Sequence, residues 1–402
     1  MRHRFLSCIL PLLLLCCRPA FALIITTEKT TAQNTDSRLR VSILTCGVGE
    51  ELYASFGHTG IRIVDSSKGT DEVYNYGTFD FSDPDFYTKF TLGRLLYYID
   101  KSSFDNFMYE YVAEQRTVQE QVLNLPDSAK QAIRQYLETN LLPQNRGYYY
   151  NFIFDNCATR VRDIFPKTLG RSFQFGDALK HKDISYRDII NHYLAQKHWE
   201  RFGINLLLAS PVDSVMTNEG SMFLPDFLHD ALQNATYNGR KIVGENQYLL
   251  SKSMQETHPL DGPLWLMIGI FILTMLSYQT AAFRYLRGIM RFLLLFVSGL
   301  LGCFMLFMWL GTNHTACAGN YNILWALPLN LMVAFVAHKK IRLLKYYALA
   351  AIALILVALI ISFLGIQKMP LFELTPFLLC LLYVYVDLWK QHPQANPAIP
   401  AT

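Results

Sequence analysis

Residues 150–160 read Tyr150-Asn151-Phe152-Ile153-Phe154-Asp155-Asn156-Cys157-Ala158-Thr159-Arg160. An aromatic, strand-like run gives way there to a polar turn, then to a predicted helix over Ala158–Phe165 that stops before Pro166. A cysteine at such a junction sits among the first-turn amides of the helix, whose dipole favours a thiolate. Upstream, Ser55-Phe56-Gly57-His58-Thr59-Gly60-Ile61-Arg62-Ile63 places a histidine on a glycine-flanked strand. Taken singly, Cys157 reads as a buried packing thiol and His58 as a structural histidine. Together, in a chain with an export signal, they read as a nucleophile and its general base.

The sequence around this pair predicts strands over Arg40–Thr45, Gly60–Val64, Asp71–Phe79 and Arg116–Leu125. Helices are predicted over Phe104–Gln115, Asp127–Leu141 and most of Tyr186–Leu208, and Leu224-Pro225 opens another. Helices mixed with antiparallel strands make an α+β domain.

Arg2, His3 and Arg4 precede a short apolar run, and Ala20-Phe21-Ala22 is an A-x-A site, so residues 1–22 read as a signal peptide. A Thr-rich linker follows over Ile24–Ser37. The α+β domain then occupies 23–258, a transmembrane domain 259–390 and a cytoplasmic tail 391–402. Five apolar runs suit a bilayer: Pro263–Tyr278, Phe292–Leu310, Tyr321–Val336, Tyr346–Leu364 and Leu371–Val386. Arg284, Arg287 and Arg291, then Lys339, Lys340, Arg342 and Lys345, make two basic loops that the positive-inside rule puts in the cytoplasm. The α+β domain and the loop carrying His314 and Cys317 then share the opposite side. Trp265, Trp309, Trp325 and Trp389 lie near run ends, as an aromatic belt requires. Glu373 is either interfacial or directed into the helix bundle.

The net charge is +4 over 402 residues, and the basic residues of the α+β part are not clustered, so nucleic-acid binding is not indicated. Of eight cysteines, Cys46, Cys157 and Cys317 face an oxidising compartment. That odd number leaves at least one thiol unpaired within the chain. Cys46 is either a buried strand thiol or a partner for Cys317.

A third polar group normally orients a catalytic imidazole. Asn75 on the next strand is the choice, with Tyr76 and Tyr74 as competitors. The Cys157 amide and the Asn156 side chain are candidate oxyanion donors. A zinc site needs three or four suitably spaced ligands, and no H-E-x-x-H or C-x-x-C occurs, so no metal or cofactor is expected. The G-x-S-x-G elbow is absent too. His192 and His198 read as helix surface. Asn313-His314, Cys317 and Asn320-Tyr321-Asn322 form a polar cluster, read either as a short loop or as a lining of the domain's mouth.

Phe56-Gly57-His58-Thr59-Gly60-Ile61-Arg62, Val73-Tyr74-Asn75-Tyr76-Gly77-Thr78-Phe79, Asp155-Asn156-Cys157-Ala158-Thr159-Arg160, Met222-Phe223-Leu224-Pro225-Asp226 and the stretch from Asn320 to Pro328 occur in this order. The set resembles the Lnb-type lipoprotein N-acyltransferases over nearly the whole mature chain. More distantly, histidine before cysteine resembles circularly permuted papain-like folds of the NlpC and lecithin retinol acyltransferase kind. The resemblance implies a permuted papain-like domain followed by five membrane helices in the bacterial inner membrane. It implies transfer of a fatty acyl chain from a membrane phospholipid, through a Cys157 thioester, to the α-amine of a diacylated lipoprotein. His58 and Cys157 match its catalytic positions. With Asn75 as third member and Asn156 and Asp155 in support, Arg62, Tyr76, Arg160 and His314 are the expected substrate contacts. The rival reading is an exported, membrane-tethered cysteine hydrolase, either a peptidase or amidase or a phospholipase.

Overall fold

Strands β1 (Leu39–Cys46), β2 (His58–Asp65), β3 (Thr70–Thr78), β4 (Leu96–Ser103), β5 (Val118–Leu123), β6 (Gly147–Tyr149) and β10 (Val243–Leu250) build one sheet in the order β10-β5-β1-β2-β3-β4-β6. Every neighbouring pair in it is antiparallel. Short strands β7 (Phe173–Gln174), β8 (Thr236–Tyr237) and β9 (Arg240–Lys241) form a second sheet. These features belong to a computed structural model that describes residues 38–179, 183–251, 259–279, 281–339 and 341–391. The predicted signal peptide, the linker to Ser37 and residues 392–402 of the tail lie outside the described residues.

Period-two alternation gives each strand two faces. On one, Val41, Ile43, Ile61, Ile63, Tyr74 and Tyr76 are buried, with helices Asp127–Leu141, Cys157–Leu169 and Pro225–Gln233 packed against them. On the other, Leu44, Cys46 and Val73 pack with Phe107 and Tyr111 of the Phe104–Ala113 helix. The Cys157 helix does not stop at Pro166 as expected. It continues to Leu169, because Ile164, Phe165 and Leu169 are all buried in the first core. Strands β4, β6 and β10 were not expected. The last has exposed side chains over Gly244–Tyr248, and its pairing with β5, rather than an apolar pattern, makes it a strand.

Among the described residues, four helices are long and apolar enough to cross a membrane: Gly262–Gln279, Arg284–Leu310, Leu343–Phe363 and Leu371–Lys390. The expected span Tyr321–Val336 is not a continuous helix. It is a tight turn over Tyr321–Leu324 followed, after Pro328, by a short helix over Asn330–Val336. It nevertheless runs the depth of the bundle. Asn320 at one end meets Gln367, while Ala337 and His338 at the other share a cleft with Gly288 and Arg291. A proline and missing helical bonds are tolerated at that depth only where protein surrounds the backbone. Glycines of the Arg284–Leu310 helix supply the room. A Cβ on Gly299 would stand 2.1 Å from the Leu331 nitrogen, and one on Gly302 would stand 1.8 Å from the Ala326 oxygen. Asn330 is fully buried, donates to Ser298 Oγ at 2.9 Å and accepts from the hydroxyls of Tyr347 and Tyr385.

The same segment grips the sheet domain. Asn320 Nδ2 donates to the carbonyls of Leu206 (2.7 Å) and Leu207 (3.0 Å), and Asn322 Nδ2 donates to Leu206 (3.1 Å). These carbonyls end the His198–Leu207 helix and have no partner within it. Trp325 is not a belt residue: it is buried and donates its indole N–H to Asn322, whereas Trp265, Trp309 and Trp389 are exposed. Glu373 is directed inward and pairs with Arg201 at 2.8 Å, and Lys368 pairs with Asp188 at 2.6 Å.

Candidate active site

Two backbone devices deliver the pair. Gly57 has φ +75°, and a Cβ there would lie 2.7 Å from the Cys46 oxygen, so only glycine makes the turn that starts β2 at His58. Lys197 fastens the preceding loop, donating to Ser55 Oγ at 2.6 Å and to the carbonyls of Gly49 and Glu50. Cys157 is the first residue of its helix. Asn156 caps that helix reciprocally with Thr159, and its Nδ2 donates to the carbonyls of Phe152 (2.7 Å) and Phe223 (2.8 Å). The Met222–Asp226 motif thus acts structurally here. Phe223 anchors the cap, Pro225 opens a helix and packs toward Gly57, and Asp226 accepts from Tyr193.

The Cys157 and His58 side chains are neighbours beside Gly77, each shifting the pKa of the other. His58 Nε2 lies 2.5 Å from Asn75 Oδ1, which leaves Nδ1 for the sulfur. Burial pushes the thiol pKa up. The adjoining His58 charge, the hydrogen bond from it, and the amides of Thr59 and Ala158 outweigh burial, so Cys157 lies below an ordinary thiol. Burial disfavours the charged imidazole too. The Cys157 thiolate, its hydrogen bond and that of Asn75 prevail, so His58 lies above an ordinary histidine. The two shifts favour a thiolate–imidazolium pair.

The space beside the pair is bounded by Gly77 (φ +96°). A Cβ there would lie 3.8 Å from Cys157 Cβ, 4.0 Å from His58 Cε1 and 4.0 Å from the Tyr148 hydroxyl. That hydroxyl is buried and has no hydrogen-bond partner among the described residues. Burial, then the neighbouring thiolate, holds it protonated. Tyr148 and Gly77 are site residues that the sequence reading did not single out. The signal was the alternation in Gly147-Tyr148-Tyr149, where Tyr148 is buried while Tyr149 is exposed.

Other expected site residues fall elsewhere. Asn156 is no oxyanion donor, because both its side-chain protons are committed to carbonyls; it supports the helix start instead. Asp155 chelates Arg160, whose guanidinium also stacks 4.0 Å from the Tyr148 ring centroid, so Arg160 braces the site wall. Arg62 is engaged in an ion cluster away from the pair. It lies four residues along the strand from His58, where it binds Asp71 and the buried Glu120 and lies over Phe104. Tyr76 is 2% exposed and packs in the core edge-to-face with Tyr148, so it is wall rather than contact. Tyr74 turns away and donates to Glu138. His314 Nε2 hydrogen-bonds to the carbonyls of Phe90 (3.2 Å) and Thr91 (3.1 Å), which makes it a loop fastener. Cys46 and Cys317 are both free thiols. Burial pushes Cys46 up to about 12, with Tyr111 hydrogen-bonding to it.

Comparison with known proteins returns two family models. Residues 26–192 match the Lnb N-terminal periplasmic domain, and residues 252–391 match the Lnb transmembrane domain. No curated protein and no solved structure matches the chain. The two models follow one another in the order of the sheet domain and the apolar helices, so the chain is a membrane protein with a periplasmic part and belongs to the Lnb-type family.

Proposed function

We propose that this protein is a lipoprotein N-acyltransferase of the bacterial inner membrane, with Cys157 as nucleophile, His58 as acid and base, and Asn75 as the group that orients His58. The observation that carries this reading is the Cys157–His58–Asn75 chain of contacts at the start of a capped helix. Cysteine, histidine and an amide in these roles are the papain-like set. A nucleophile on a helix packed against an antiparallel sheet that carries the histidine, with histidine first in sequence, fits a permuted version of that fold.

In the first half-reaction the Cys157 thiolate attacks an ester carbonyl carbon of a phospholipid. The new oxyanion is held by the Ala158 amide, one of two backbone N–H groups that reach the sulfur, and by the free Tyr148 hydroxyl. Collapse breaks the carbon–oxygen ester bond, His58 gives its proton to the departing alkoxide, and a lysophospholipid leaves a thioester. In the second half the α-amine of the lipoprotein's diacylglyceryl-cysteine attacks the thioester carbon. His58 takes the amine proton, the carbon–sulfur bond breaks, and an amide departs with the thiolate restored.

The test is a Cys157→Ser variant in cells that depend on this protein, with mass spectrometry of a lipoprotein N-terminus. Triacylated product in wild type and diacylated product in the variant support the reading. Triacylation that survives in the variant removes the thiol mechanism. A free amine with released fatty acid in wild type makes the protein a lipase.

A further inference from the structure

We propose that Phe79–Phe90 forms a lipid-entry ledge, seated in the outer-leaflet surface, that takes a phospholipid acyl chain and leads it to Cys157. This deepens the acyltransferase reading and rests on it for the destination of the chain, though not for the seating in lipid.

Three large aromatics of this segment face outward: Phe81 is 69% exposed, Tyr87 81% and Phe90 53%. Apolar rings so exposed on one short segment call for an occupant. The segment is nonetheless ordered. Asp80 accepts from the Ser82 hydroxyl, Lys89 pairs with Asp83 at 2.7 Å, and Phe86 is buried beneath the outer rings.

Its height follows from where it is tied. The Asn313 amide donates to the Leu92 carbonyl at 2.9 Å, and His314 holds the carbonyls of Phe90 and Thr91. Gly93 (φ +66°) permits this approach, since a Cβ there would be 3.3 Å from the backbone of Asn313 and His314. Asn313 lies three residues past Leu310, the end of a membrane helix. The rings are thus fastened to the rim of a span, where aromatic side chains partition best.

The rings also lead inward. Phe81 meets Phe79 edge-to-face (4.7 Å between centroids), Phe79 meets Tyr97 edge-to-face (5.2 Å) and Tyr97 stacks on Tyr150 (4.5 Å). Tyr97 also approaches Tyr148 at 6.4 Å, and both Tyr148 and Tyr150 feel the Cys157 charge. A series of ring contacts therefore runs from the membrane rim toward the thiol. Between Phe79 and Arg94 the charges are Asp80, Asp83, Asp85, Lys89 and Arg94, so the ledge has no cationic surplus to recruit anionic headgroups. Its ligand is the acyl chain.

Two measurements on the full-length protein in phosphatidylcholine vesicles test this. In the first, Tyr87→Trp is compared with wild type in vesicles brominated on the upper acyl carbons. Extra fluorescence that the bromolipid quenches is expected; extra fluorescence that it leaves unquenched overturns the seating, and a concentration-dependent dimer alongside it gives the ledge to a second copy. In the second, a Phe81→Ser, Tyr87→Ser, Phe90→Ser triple variant is assayed for labelled thioester on Cys157. The rate from vesicle phospholipid is expected to fall roughly tenfold or more, while acylation by soluble p-nitrophenyl acetate is unchanged. Equal rates from phospholipid overturn the ledge. Quenching without any thioester in wild type retains the seating and refutes the acyltransferase reading instead.

Discussion

His58 Nε2 and Asn75 Oδ1 stand 2.5 Å apart, and an amide oxygen only accepts, so His58 carries a proton on Nε2. The other nitrogen is left to exchange a proton with sulfur. Asn75→Ala frees the ring to adopt the other tautomer and to turn. We expect thioester formation to fall by roughly 10²-fold, an effect within the range of general acid–base catalysis, with little change in thermal unfolding. Single-turnover acylation by labelled phospholipid reads this. A rate within twofold of wild type would remove Asn75 from the mechanism.

The pH dependence follows from the two shifts. Cys157 lies below an ordinary thiol, so alkylation by iodoacetamide persists into mildly acidic solution and fades only as pH falls through that lowered value. His58 lies above an ordinary imidazole, so acyl transfer fades on the alkaline side as pH rises through that raised value and the leaving group loses its proton donor. His58→Ala removes the neighbouring charge while burial remains, so the alkylation midpoint moves upward. A midpoint that stays put or falls would contradict the pairing.

Tyr148→Phe deletes a buried hydroxyl that has no partner among the described residues. Folding therefore loses nothing, and the melting temperature is expected to hold or rise. Acylation loses an oxyanion donor, and kcat is expected to fall by roughly 10²-fold while Cys157 alkylation continues unchanged. An unchanged kcat would assign the oxyanion to backbone amides alone.

Gly302→Ala introduces a methyl group where the Ala326 carbonyl already stands. Backbone cannot yield as a side chain tip does, so the variant is expected to lose about 1–3 kcal/mol, read as a lower unfolding temperature in detergent. Gly269→Ala, where a Cβ meets nothing, serves as the control. Equal melting of both variants would mean that the broken segment does not pack as described.

Much of this was legible in the sequence because it is local. Asp127–Leu141 falls where Pro126 and the helix pattern put it, and Cys157 opens its helix as the Asp155-Asn156 turn predicts. His58 and Asn75 were legible because adjacent strands carry them and Gly60 pairs with Asn75. Residues whose meaning depends on distant partners were not. Arg62 shares a motif with His58, yet it ends in an ion cluster with Glu120, a strand that sequence distance hides. Hydropathy counted Tyr321–Val336 as a span because it weighs side chains and not backbone continuity, and for the same reason Trp325 looked interfacial. Tyr148 was hidden because its importance lies in a bond that its hydroxyl does not make.

The asparagines at 320 and 322 hold carbonyl groups of the Leu206 and Leu207 backbone rather than flexible side chains. A grip on main chain resists swivelling of the sheet domain, so on the proposed acyltransferase reading the thiol is held at a set height over the bilayer. Each reactant must then bring its own reactive carbon or nitrogen to that altitude. On the proposed reading, selection between lipids and acceptors becomes a matter of how far each can rise from the membrane, a vertical gauge to which two amide side chains contribute.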